Sequence, residues 1–153
     1  MTILFLGVGN LHRADDSVGP ALAEKLAADK TFMQKGVEVQ PHSGEGVSLM
    51  HVWAGAERVV IVDAMKSGAT VGSIHRFDAI NEPLHHDVFR YSSHLFGLAE
   101  ATEMARALGS LPKAMIIYGI EGYEFTFGEA MSPTVAKALK KVEKAVRKEF
   151  DDL

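Results

Sequence analysis

Three observations predict an α/β protein with a mostly parallel sheet and helices on both faces. Apolar runs of strand length sit at 2–7, 58–62 and 114–120. They are continuous rather than alternating, as in strands buried on both sides. Between them lie segments with apolar residues at helical spacing, so strands and helices alternate along one domain spanning residues 1–153.

The first strand stops at Gly7-Val8-Gly9, and a loop with the adjacent carboxylates Asp15 and Asp16 follows. Val18, Leu22 and Leu26 then recur on one helical face, so a helix is expected to start between Asp16 and Gly19. Pro20 falls in its first turn, where a missing N–H does little harm. After a linker ending at Gly36, Val37-Glu38-Val39-Gln40 reads as a short strand closed by Pro41. His42 to Gly46 forms a second strand-to-helix loop, and Val47, Leu49, Met50 and Trp53 predict a short helix ending near Gly55.

Arg58-Val59-Val60-Ile61-Val62-Asp63 is the clearest strand, β-branched and ending on a carboxylate. Residues 72–77 alternate like an edge strand, open to antiparallel pairing. Residues 78–93 carry no period. A helix is expected from His94, with Leu95, Leu98, Met104, Ala105 and Leu108 as its apolar side and Gly109 as its stop. A buried strand at 114–120 leads into a loop rich in aromatics and glycine, Glu121 to Met131. Ser132-Pro133 then caps a final helix with Val135, Ala138, Leu139, Val142 and Val146 inward and four lysines in water.

The net charge of −4, from 16 basic and 20 acidic side chains, argues against a nucleic-acid or anionic-membrane surface. With no cysteine, disulfides, thiolate metal sites and cysteine nucleophiles are eliminated. The opening apolar run is too short for a signal peptide or a membrane span, and a cytoplasmic protein is expected.

Gly7-Val8-Gly9 invites a dinucleotide-binding reading. The third glycine of that fingerprint would fall at position 12, which is His12, and Asp15 and Asp16 would repel a pyrophosphate. An aspartate near a helix start most often caps it, but one is enough for that purpose, which leaves the other to face the cleft. Asp63 is more telling. A carboxylate ending a buried strand costs desolvation unless it is paired, hydrogen-bonded or bound to a cation; its other use is to cap the following turn. If the strands bearing Asp16 and Asp63 are neighbours, the two converge on one crevice.

Histidine is the usual third ligand, and seven are available: His12, His42, His51, His75, His85, His86 and His94. His75 and His51 read as solvated, on an edge strand and a helix surface. His85 and His86 lie in irregular chain, and His94 lies near strand ends on the rim shared by the two carboxylates. Two carboxylates and an imidazole suit a divalent ion such as Zn²⁺ or Ni²⁺ with positions left open. No Gly-x-Ser-x-Gly elbow supports a serine nucleophile.

These residues carry a family likeness. Leu6-Gly7-Val8-Gly9-Asn10 with Asp15-Asp16-x-x-Gly19 resembles the opening of the hydrogenase maturation endopeptidases. The likeness continues at Ile61-Val62-Asp63-Ala64, at Ser92-x-His94-x-x-Gly97-Leu98, and at Gly119-Ile120 followed by Met131-Ser132-Pro133. It implies a three-layer α/β/α sandwich around a twisted sheet of about five strands. It also implies removal of the C-terminal extension of a NiFe hydrogenase large-subunit precursor after nickel insertion. Asp16, Asp63 and His94 are then the catalytic, metal-contacting residues. The nickel comes with the substrate, and no tightly bound organic cofactor is implied. Two segments depart from the family pattern, Pro41-His42-Ser43-Gly44-Glu45-Gly46 and Glu121-Gly122, and both are expected to shape peptide access. Two other readings are a metal-dependent hydrolase of small molecules carrying its own ion, and a nucleotide-binding module at Gly7–Gly9.

Overall fold

A computed structural model describes residues 2–89 and 94–153. Five strands form one sheet: β1 (Ile3–Val8), β2 (Glu38–His42), β3 (Arg58–Met65), β4 (Ile74–Asp78) and β5 (Ala114–Glu121), in the order β2-β1-β3-β5-β4. Every neighbouring pair is parallel except β4–β5, so the alternating segment at 72–77 is an antiparallel edge. Among the described residues, five helices cover the sheet: α1 (Val18–Ala28), α2 (Lys30–Met33), α3 (Gly46–Trp53), α4 (Leu98–Leu108) and α5 (Pro133–Glu149).

Side-chain alternation along the central strands sorts the core into two layers. Leu4, Leu6, Val8, Val59, Ile61 and Met65 face α3 and α4, where they meet Leu49, Trp53, Leu98 and Ala101. Phe5, Val60, Val62 and Ala64 face the opposite way, onto Val18, Leu22 and Leu26 of α1 and Val135, Val142 and Val146 of α5. Both layers exclude water, which explains why β1 and β3 are apolar throughout. The expected α/β/α sandwich is the observed one.

Several elements differ from expectation. β3 does not end at Asp63 but runs to Met65, because its ladder with β5 continues through Asp63↔Gly119 to Met65↔Glu121. The β1–β3 ladder ends earlier, at Gly7↔Val62. Asp63 is therefore the first residue of β3 past its pairing with β1. α4 begins at Leu98, not His94, with Gly97 before it and the Glu100 carboxylate accepting the Gly97 N–H at 2.8 Å. Its buried face is Leu98, Ala99, Ala101, Thr102 and Ala105, while Leu95, Met104 and Leu108 point outward. Ser92 and Ser93 lie outside the described residues. The linker before Gly36 contains α2, capped by Asp29, which inserts Phe32 edge-on against Phe150.

A candidate active site at the carboxyl ends of the central strands

The chain leaves β1 for β2 on one side, then crosses to β3 on the other. Strand order thus reverses between β1 and β3, and in open α/β sheets the crevice outside such a point is where ligands bind. The loop leaving β1 lies there. Glycine backbones let it fold back onto α1. A Cβ on Gly7 would lie 2.1 Å from the Gly19 carbonyl oxygen, and one on Gly19 would lie 2.3 Å from that of Val8. Gly9, at φ +139°, turns the chain so that its N–H reaches the His42 carbonyl at 2.9 Å. The next amide, of Asn10, donates to the Asp16 carbonyl at 3.2 Å and to Asp16 Oδ2 at 3.1 Å. Both amides are thus engaged within the protein. The glycines provide close helix–strand packing, not a phosphate cradle.

Ala14, also left-handed at φ +48°, opens a single 3-10 turn, Ala14–Ser17, that holds both aspartates. Neither side chain caps α1. Asp15 is fully buried and turned away from the crevice. It accepts from the amides of Tyr123, Glu124 and Ser132 at 2.8, 2.8 and 2.7 Å, and from Ser132 Oγ at 2.8 Å. The Ser132 hydroxyl serves Asp15 and does not cap α5. Arg13 Nε adds a bond to the Phe125 carbonyl. Asp15 thus pins the aromatic loop 122–132, whose Phe125 closes one wall of the site.

Asp16 turns the other way. With Asp63 it lines a small cavity of about 20 Å³, enclosed by Val8, Gly44, Phe89, Leu98 and Phe125. That volume suits one water or one ion. Burial raises the Asp16 pKa from 3.8 to about 6, against the lowering effect of the Asn10 amide, Arg13 and His94. Asp63 is 8% exposed and is pushed well above the usual carboxylate range by burial and then by the charge of Asp16, with only the Ala64 amide opposing.

His94 is half-buried in the segment before α4. The Phe96 carbonyl accepts the Gly46 N–H at 2.8 Å and ties this segment to the start of α3. With Asp16, His42 and Ser43, His94 lines an open groove of about 630 Å³ that runs past Asn10, Arg13 and Pro41. Asp16 and Ser43 belong to both the cavity and the groove. Asp16 therefore stands between Asp63 on one side and His94 on the other. Among the described residues, no three His, Asp or Glu side chains already converge closely enough to hold an ion.

The remaining histidines stand elsewhere. His51, His75, His85 and His86 are exposed, and His12 is exposed with its ring near Phe127. Two features escaped the sequence reading. Buried Glu121 accepts the Ser67 amide and hydroxyl, fixing the turn after β3. His42 is built into the loop beside His94, where the spacing of its neighbours gave no sign of it.

A mostly parallel sheet with two interacting carboxylates, one in the loop after β1 and one near the end of the adjacent β3, defines a class of site suited to acid–base or metal-assisted chemistry. The comparisons narrow that class. The chain belongs to the hydrogenase maturation protease family, whose sequence model matches residues 20–149. The match includes Asp63 and His94 and begins just after Asp16. The hydrogenase expression/formation protein HupD of Thiocapsa roseopersicina is 28% identical over 138 residues, 90% of this chain and 62% of that protein. The hydrogenase 2 maturation protease of Escherichia coli is 28% identical over 137 residues, covering 88% of this chain and 82% of that one. The chain spans less than two thirds of the length of the first curated relatives it matches. In solution, an endopeptidase from Escherichia coli has the same fold, with a TM-score of 0.74 at 27% identity over 97% of this chain and 94% of that one. Among the described residues no helix is long and apolar enough to cross a membrane.

Proposed function

We propose that this protein is a cytoplasmic endopeptidase that removes the C-terminal extension of a NiFe hydrogenase large-subunit precursor once nickel has been inserted. Asp16, Asp63 and His94 contact the nickel, which belongs to the substrate. The observation that carries this reading is the placement of Asp16. It shares a one-ion cavity with Asp63 and an open groove with His94, in a chain of the maturation protease family.

The groove accommodates the peptide and the cavity end receives the metal. A divalent ion beside the peptide polarises the scissile carbonyl as a Lewis acid. Water attacks that carbon, the C–N bond breaks, and the amine leaves with a proton. Burial raises the Asp16 carboxyl to about 6, so it is ionised at neutral pH, as a group contacting the cation must be. Specificity follows from charge: a cation beside Asp16 and Asp63 offsets the repulsion between two carboxylates in one small cavity, and a nickel-free precursor leaves that repulsion in place.

Incubating the purified protein with large-subunit precursor, with and without nickel, tests the reading. The nickel-loaded precursor is cut and the nickel-free one is not, and Asp63→Asn cuts neither. Equal cleavage of the nickel-free form, or full activity in Asp63→Asn, contradicts it. Stoichiometric metal in the protein as purified would instead favour a hydrolase carrying its own ion.

A further inference from the structure

We infer that His42 is a positioning residue of this site: its imidazole, fixed at both nitrogens, holds the Ser43–Gly44 turn that lies beside the His94 ring. The inference rests on the functional reading above and adds a residue to it. His42 Nδ1 accepts the Gly44 N–H at 2.9 Å, and Nε2 lies 2.9 Å from Ser48 Oγ. One neutral tautomer satisfies both contacts, with the lone pair on Nδ1 and the proton on Nε2 donated to the hydroxyl.

A side-chain acceptor taking the amide two residues on is the bond that defines an Asx turn, made here by a ring. The turn needs such a brace. Gly44 lies at φ +92°, and Ser43 is exposed. The consequence for the site is direct. A Cβ on Gly44 would lie 3.0 Å from Val8 Cγ1 and 3.9 Å from His94 Cδ2, so the turn lies between the end of β1 and the His94 ring with little more than a methyl group's room beside it. Ser43 walls both the cavity and the groove.

The same bonds rule out a serine nucleophile at this place. A base must offer Ser48 a lone pair, and Nε2 offers a proton. The ring therefore acts through Gly44 and His94.

Two variants separate hydrogen bonding from bulk. His42→Phe keeps the ring's volume and loses both nitrogens, whereas His42→Asn restores an acceptor for the Gly44 amide. Cleavage of nickel-loaded precursor is measured beside the His94 ring proton resonances of the free protein. His42→Phe lowers kcat about 10- to 100-fold with KM little changed, as expected for a catalytic group displaced by a fraction of an ångström to an ångström. It also shifts the His94 resonances, and His42→Asn restores both. Unchanged His94 resonances in His42→Phe overturn the inference, as does wild-type kcat in a folded His42→Phe. If wild-type protein fails to cut the precursor, the functional reading fails, and the resonances still decide whether His42 positions His94.

Discussion

Asp16 raises the proton affinity of Asp63 from across one small cavity, on a loop and a strand that belong to neighbouring parallel strands β1 and β3. Neither carboxylate has a cationic side chain as its main partner. Burial dominates the titration of both, so the folded protein holds two acids above their ordinary range.

The sign of the pH dependence is fixed by these shifts. Asp16 titrates near 3.8 when unfolded and near 6 when folded, so between those values the folded state binds more protons. Stability then falls as pH rises through the window from about 4 to about 6, and Asp63 acts in the same direction. Asp16→Asn removes this loss. Its melting temperature should match wild type near pH 4 and exceed it at pH 7 to 8. A variant less stable than wild type at pH 8 would contradict the assignment.

Divalent-ion affinity carries the opposite sign. Ligands must be deprotonated to bind, so binding releases protons. Affinity for Ni²⁺ or Zn²⁺, measured by calorimetry, should rise with pH from pH 5 to pH 7 as Asp16, near 6, loses its proton. Asp63→Asn should bind more weakly, since it removes an anionic ligand from the cavity.

Asp15 supports the site without facing it. Asp15→Ala strands the amides of Tyr123, Glu124 and Ser132. Loss of a buried carboxylate with several donors is expected to cost about 3–5 kcal/mol in chemical denaturation. Faster proteolysis of the 122–132 loop should accompany it.

The crossing of Gly7 and Gly19 is equally specific. Alanine at Gly19 meets the Val8 backbone at 2.3 and 2.4 Å, and backbone on both sides leaves little room to relax. Gly19→Ala is expected to destabilise by about 3 kcal/mol or more, read from urea denaturation. Since the Gly9 and Asn10 amides are engaged by His42 and Asp16, NAD or ATP should give no thermal stabilisation of the wild type.

How much was legible follows from which forces act locally. β1, β3 and β5 declared themselves because a strand buried on both faces needs an unbroken apolar run, and Val59 to Val62 has nowhere else to go. The pairing of β1 with β3, and hence the meeting of Asp16 with Asp63, followed from that. The start of α4 was misread because His94 follows two serines that look like a cap. The actual cap uses Gly97 and Glu100, and four small or polar residues let Leu95, Met104 and Leu108 face outward. β3 outran Asp63 because its extension depends on β5, a partner more than 50 residues away in sequence. The division of labour between Asp15 and Asp16 was illegible, since Asp15 is claimed by amides at 123, 124 and 132.

The central claim is that Asp16, Asp63 and His94 together read a divalent ion. Diffraction from crystals soaked in Ni²⁺ or Zn²⁺, with the ion located by its anomalous signal, tests it most directly. The account predicts one ion between Asp16 and Asp63 with the His94 ring turned in to meet it, at ligand distances of about 2.0–2.2 Å. An ion bound elsewhere with that cavity empty, or one held at Asp16 and Asp63 with His94 turned away, would contradict it.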